Sequence, residues 1–279
     1  MSVVAKNDRM MRLLRRAMRR FPAITVVLLA AVLVLVAFLH RGIEVTELDV
    51  DDGGIWVSKG ADLSLGHLNY DALTFDGFVS TPSAQVALGQ DGRTVTIGDE
   101  TTHSVASVDV AAMKLGGAST VPEGSRVVQG ASTIAVLDSL AGYLWVGEAN
   151  RPDAIKYEDT SAIADGLADG IVTVSTGGTV FAYAPQYATL TTVTRAGSTW
   201  STTKATLSGM SVSDDLSITA VGDKPVIYDA TTNTLILPGG RTRALDADGV
   251  APGAVLQMPG PASSSVLLAT PDSLVSVPL

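Results

Sequence analysis

Two patterns of apolar residues divide the chain. Residues 22–39 read PAITVVLLAAVLVLVAFL, 18 positions without a charge and with Thr25 as the one strong hydrogen-bonding side chain. This run predicts one transmembrane helix, because at about 1.5 Å per residue it reaches roughly 27 Å, close to the hydrocarbon thickness of a bilayer. From Val45 onward the pattern changes to short runs in which apolar and polar positions alternate, the period of a strand. Six times an alternating run, a tight turn and a second alternating run follow one another: VTELDV-DDGG-IWVSKG, AQVALG-QDG-RTVTIGD, STIAVLD-SLAG-YLWVGE, IVTVS-TGG-TVFAYA, LSITAV-GDK-PVIYD and SVLLA-TPD-SLVSV. The turns centre near Gly53, Asp91, Leu140, Gly177, Asp223 and Pro271, at steps of 38, 49, 37, 46 and 48 residues.

Asp91-Gly92 and Gly177-Gly178 are expected to supply the positive φ of two-residue hairpins, and Pro271-Asp272 suits the start of a turn. A third β-like run follows most hairpins, as in LSLGHLNY (63–70), HSVASVDV (103–110), ATLTTVTR (188–195) and TNTLILP (232–238). Three or four short strands in every 40 to 50 residues is the arithmetic of a propeller blade. The expected fold class is therefore all-β, a β-propeller-like domain of about six blade-like repeats preceded by one transmembrane α-helix. A pair of β-sandwich domains would also hold many short strands, yet sandwiches do not need one unit to recur through the whole segment. The sixth unit stops at Leu279 after its second run, so the ring is expected to be incomplete: either residues 45–50 donate the closing strand or the chain belongs to something longer. The boundaries that follow are a basic cytoplasmic tail over 1–21, the membrane helix over 22–39 and an extracytoplasmic domain over 40–279.

Charge sets the orientation. Lys6, Arg9, Arg12, Arg15, Arg16, Arg19 and Arg20, seven of the 19 basic residues, precede the apolar run, and Glu44, Glu47, Asp49, Asp51 and Asp52 follow it. The positive-inside rule then predicts a single-pass protein of the cell membrane with its N-terminus cytoplasmic and its body outside. A cleaved signal peptide is the competing reading, but its apolar core would be shorter and a small-x-small site would follow, where the chain reads AFLHRG. Residues 9–20 space their cations by three and four, so they can lie along anionic lipid or simply fix the topology. From Gly42 onward 27 acidic residues face 11 basic ones, a net of −16, which repels phosphate backbones and argues against nucleic acid as a partner. The absence of cysteine excludes disulfides, Cys-ligated zinc and thiol nucleophiles.

Candidate chemistry is sparse. His40, His67 and His103 sit in different segments without ligand spacing, so no histidine metal site is expected. Asp49-Val50-Asp51-Asp52-Gly53-Gly54 begins like a calcium loop, but its twelfth place is Gly60, where a bidentate Glu is required, and a hairpin turn is the expected reading. None of GxSxG, GxxxxGK[ST], GxGxxG and HExxH occurs. His67 or His103 could serve as a base for a serine nucleophile, and Asp71, Asp76 and Glu100 are carboxylates available for glycoside chemistry, though surface solvation is the ordinary role of such groups. Trp56 and Trp145 alternate with apolar neighbours inside strands and are expected to pack between blades. Trp200, amid Gly197, Ser198, Thr199 and Ser201, is the candidate ligand contact.

The short basic start, the apolar span and HRGIEVTELDVDDGGIWVSKG, with the phrases Asp51-Asp52-Gly53-Gly54-Ile55-Trp56-Val57 and Leu144-Trp145-Val146-Gly147, resemble the opening of large actinobacterial membrane-anchored proteins. In that family a pyrroloquinoline-quinone-like propeller precedes fibronectin type III repeats, and the resemblance covers roughly residues 20–279. It implies a propeller fold and carries no catalytic residue and no cofactor across. The expected function is a membrane-anchored scaffold or binding module, not an enzyme, presenting a face to a protein or a cell-wall polysaccharide. The alternative is an envelope enzyme on the same fold, a quinone-dependent oxidoreductase or a hydrolase. A sensor coupled through the helix to the cytoplasm would have only about 21 residues inside to work with.

Overall fold

The alternating runs form strands, and the turns between them fold each strand back antiparallel to the last. A computed structural model describes residues 54–207, 213 and 215–279. The apolar span, its basic flank, His40 and the first alternating run lie outside the described residues. Within the described residues no helix is long and apolar enough to cross a membrane, and the helical elements are three-residue 3-10 turns.

Six antiparallel sheets follow in sequence order. The first holds β1 (Gly54–Lys59), β2 (Ser64–Asn69) and β3 (Thr74–Ser80), and the second holds β4 (Val86–Asp91), β5 (Thr94–Asp99), β6 (Ser104–Asp109) and β7 (Lys114–Thr120). The third holds β8 (Ser125–Gly130), β9 (Thr133–Asp138) and β10 (Tyr143–Glu148), and the fourth β11 (Ile171–Val174), β12 (Val180–Ala184), β13 (Thr189–Ala196) and β14 (Thr199–Thr206). The fifth holds β15 (Leu216–Val221), β16 (Lys224–Asp229), β17 (Thr234–Leu237) and β18 (Arg241–Ala244), and the sixth β19 (Val255–Leu256), β20 (Ser265–Ala269) and β21 (Leu274–Pro278). Strands β4, β8, β11, β15 and β19 lie beside one another in that order. These are blade-like units, as the repeat predicts.

The frame of the repeat differs from the one read off the turns. Leu63, His103, Gly142, Ala188 and Asn233 all have positive φ and each stands immediately before a strand, namely β2, β6, β10, β13 and β17. These five strands are therefore equivalent. The turns at Asp91, Gly177 and Asp223 join first to second strands, whereas those at Leu140 and Pro271 join second to third, which scatters the predicted spacing. The expectation that the sixth unit ends after its second run is corrected. Its first strand, β19, spans only Val255–Leu256, too short to show alternation, so β20 and β21 are its second and third. The hairpin expectation also shifts by one residue, since positive φ falls on Gly92 and Gly178 alone and not on Asp91 or Gly177.

Aspartates hold the turns. Asp99, Asp138 and Asp229 end the second strands of their sheets and are buried. Oδ1 of Asp99 accepts the amides of Thr101 and Thr102, Oδ1 of Asp138 those of Leu140 and Ala141, and Oδ1 of Asp229 those of Thr231 and Thr232. Each carboxylate thereby closes an Asx-type turn four residues before the left-handed position. Ser83 and Ser213 donate to Asp99 and Asp229 at 2.9 and 2.8 Å, tying the preceding connection to the same turn.

Strand alternation also builds the core, because both faces of a middle sheet meet a neighbour. In β9, Ile134 and Val136 pack with Val105 and Trp145 towards the second sheet, while Ala135 and Leu137 pack with Val174 and Val180 of the fourth. In β16, Val226 and Tyr228 join Val266 and Leu268 of the sixth sheet, while Ile227 joins Tyr183 of the fourth. This is why β9 and β12 read as unbroken apolar runs. Among the described residues the first sheet is packed on one face, through Trp56, Leu65 and Val79 against Val95 and Ile97. On its other face Ile55, Val57, Phe75 and Phe78 are exposed, the last two at 52% and 61%. A bulge at Asp76, where His67 pairs with Gly77 but Leu68 with Phe75, brings both phenylalanines to one side. Their rings stack 5.7 Å apart over Gly66, where an added Cβ would lie 2.8 Å from Phe75.

Candidate functional site

Three concave sites can be built from these elements. The first lies among β4, β5, β8 and β11, with Met258 and Pro259 of the β19–β20 connection in its wall, and encloses about 390 Å3. Close approach of the first strands shapes it, since a Cβ at Gly130 would sit 2.3 Å from the Ser175 carbonyl oxygen. Its polar side chains are engaged in joining sheets. Gln90 Nε2 donates to the Gly54 carbonyl at 2.7 Å while its Oε1 accepts the Trp56 amide at 2.9 Å. Gln129 repeats this one sheet on, donating to the Thr94 carbonyl at 2.8 Å and accepting from Thr96 Oγ1 at 2.5 Å. Asp91, the one titratable group in its wall, accepts the Ala131 amide at 2.8 Å. This cavity offers neutral hydrogen-bonding and apolar surface rather than an acid and a base.

The histidines are placed apart. His67 is buried, with Nδ1 2.5 Å from Asp76 Oδ1 and its ring 5.1 Å from that of Trp56. The hydrogen bond to His67 holds the Asp76 carboxyl below its ordinary range, against a smaller opposing effect of burial. Asp76 thus pairs with a histidine, not with Asp71 or Glu100. His103 occupies a left-handed turn at φ 46° and lines the second site with Glu100, Glu123 and Arg126. Among the described residues no three or more His, Asp or Glu gather as a metal would require, and Asp49, Asp51 and Asp52 lie outside them.

The third site is a cleft of about 750 Å3 between the third and fourth sheets, and it contains Trp200. Trp56 and Trp145 are buried between sheets, as their alternation predicts, with Trp145 Nε1 donating to the Glu158 carbonyl at 3.0 Å. Trp200 is half-buried against the core of the fourth sheet, so it presents less surface than its polar neighbours imply. Opposite it in the β13–β14 register stands Arg195, whose Cζ lies 5.7 Å from the Trp200 ring centre. Arg195 Nη1 reaches Glu148 Oε1 of β10 at 2.5 Å, bridging the two sheets, and its Nε donates to the Gly197 carbonyl at 3.0 Å. Arg151 and Lys156 complete the wall, with Val146 and Ile163 as apolar lining.

Sequence reasoning named Trp200, which lines this cleft, and did not name Arg195, Glu148, Arg151 or Lys156. One signal was there to use: Arg-Ala-Gly-Ser-Thr-Trp is a turn flanked by a cation and an indole, which a hairpin places face to face. Nothing in the linear sequence joins Glu148 to Arg195.

No protein-family model matches the chain, and no curated protein matches it in sequence. Solved structures do. Virginiamycin B lyase from Staphylococcus aureus superposes with a TM-score of 0.52 at 11% identity, over 82% of this chain and 78% of that one. A streptogramin B lyase structure gives 0.52 at 13% identity over 82% and 80%, and AztD from Citrobacter koseri 0.50 at 12% over 81% and 66%. At such identities the likeness speaks to the fold, which is that of β-propeller proteins.

Proposed function

We propose that this chain is a membrane-anchored β-propeller module that binds a protein or a cell-wall polymer outside the cell, the anchor being residues 22–39. The observation that carries the reading is the cleft of Trp200. There a guanidinium is fixed between an indole and a carboxylate, and two more cations flank it, which is a surface arranged for contact. Fixed side chains lose little freedom when a ligand arrives, so such a site favours binding. The enzymic alternative would draw on convergent acid, base or quinone-holding groups, of which the wall of the first cavity supplies Asp91 alone and the second site His103, Glu100 and Glu123. A cell-surface protein of the actinobacterial kind named by the resemblance would meet wall polymer directly.

The full chain, reconstituted in lipid nanodiscs, should be retained on isolated, protein-free cell walls. Trp200→Ala should weaken that retention by about tenfold, the scale of losing one well-placed aromatic contact. Retention unchanged by the substitution, or turnover of a quinone-linked dye by the wild type, would overturn the reading.

A further inference from the structure

We infer that the cleft between the third and fourth sheets takes an acidic glycan, a polysaccharide bearing carboxylate or phosphate groups. The inference rests on the binding-module reading above and gives it a ligand class. The three concave sites differ in charge. The first carries Asp91 as its one charged side chain, and the second sets Asp99, Glu100 and Glu123 against Arg126. The third sets Arg151, Lys156 and Arg195 against Glu148. From Gly42 onward the chain carries a net −16, which repels a polyanion at long range, so an anionic ligand depends on local contacts, and this cleft is the one of the three where cations outnumber carboxylates.

The cations are disposed to receive a ligand. Arg151 and Lys156 are exposed, and neither forms an ion pair with a described residue. Of the five carboxylates on the same connection, four are engaged elsewhere: Asp153 lies beside Gly117 of β7, Glu158 accepts the Ser161 amide, Asp165 pairs with Lys204 and Asp169 accepts from Gln186, and the fifth is the exposed Asp159. Arg195 is already oriented by Glu148, by Trp200 and by the Gly197 carbonyl. The part of the half-buried indole left uncovered by the core and by Arg195 gives an apolar contact for a sugar ring, while acids pendant from that ring reach the cations. Ser198 adds a hydroxyl, whereas that of Ser161 is engaged by the Lys156 and Glu158 backbone. Polyglutamate would match the charge but has no ring to lie along the indole.

The test uses the full chain in nanodiscs of zwitterionic lipid, with polygalacturonate and poly(glycerol phosphate) as probes and dextran and polyglutamate as comparators. One of the acidic glycans should bind at least about tenfold more tightly than either comparator, and the affinity should fall as salt rises. Which of the two binds tells whether carboxylate or phosphate is read. The double variant Arg151→Gln, Lys156→Gln should lose about tenfold or more, with its melting curve unchanged and with Lys114→Gln on the exposed β7 as an unaffected control. Equal binding of dextran, tighter binding of polyglutamate, or an unaltered double variant would overturn the inference. Wild type that holds cell walls yet ignores both acidic polymers would overturn it while leaving the binding-module reading in place. Wild type that holds neither would remove both.

Discussion

Gln90 and Gln129 make the same connection one sheet apart: each side-chain amide donates to a carbonyl of the preceding sheet and accepts a hydrogen bond back from it. Sheets packed through apolar faces can slide, because dispersion and burial have little directionality. A glutamine with both ends engaged fixes the register of one sheet on the next. The partners, Gly54 and Trp56 for one and Thr94 and Thr96 for the other, stand at matching places in β1 and β5.

Replacing Gln129 by Ala should therefore destabilise the fold by about 1–3 kcal/mol, since it leaves the Thr94 carbonyl and the Thr96 hydroxyl without their partner. Urea unfolding checks this. A midpoint unchanged within error would mean that water substitutes fully for the amide.

Trp145 and Trp200 should separate stability from binding. Trp145 is 1% exposed, and its loss should cost about 3–5 kcal/mol through the cavity it leaves. Trp200→Ala should cost less, about 1–2 kcal/mol for a half-buried ring, and should show mainly in ligand retention. Thermal melts of the two variants compare them.

The aspartate turns should respond in the same way at each site. Asp138→Ala frees the amides of Leu140 and Ala141 and should lower stability by about 1–2 kcal/mol, whereas Asp138→Asn keeps an acceptor and should recover most of it.

Acid should weaken the first sheet through Asp76 and the fifth through Asp248. Hydrogen bonds from His67 and from Arg243 hold these carboxyls below their ordinary range in the folded protein. Each then contributes stability that is complete above the ordinary aspartate range and is lost as pH falls through the lowered folded value. Melting temperature followed downward in pH should drop across that interval, and the drop should be smaller in Asp76→Asn.

Membrane topology is tested by protease added to intact cells. It should digest the body over residues 40–279 and spare the apolar span. Full-length protein recovered from a soluble cytosolic fraction would contradict the anchor.

Much of the fold was legible because alternation and turn residues survive in single sequences. HSVASVDV and TNTLILP each contain a strand, β6 and β17, and ATLTTVTR covers all of β13 but Ala196. The frame was not legible from glycines, because three of the five left-handed positions are Leu63, His103 and Ala188, residues that carry no turn signal. The aspartates at 99, 138 and 229, four residues earlier, mark three of the repeats better. TFDGFVS hid β3 because the bulge at Asp76 breaks its alternation. The cleft was half-visible: Trp200 and Arg195 share a hairpin, but Glu148 comes from another sheet, and pairing across sheets leaves no trace in spacing.

The stacked Phe75 and Phe78 over Gly66, with Ile55 and Val57 beside them, give the first sheet an oily outer wall. Contact between such walls gains strength on warming, since the ordering of water around hydrocarbon is what drives it near room temperature. Two molecules of this protein should thus cling to each other more at body heat than on ice, the reverse of what hydrogen-bonded strand edges would do. A preparation that clouds on warming and clears on chilling would carry the signature of those two phenyl rings.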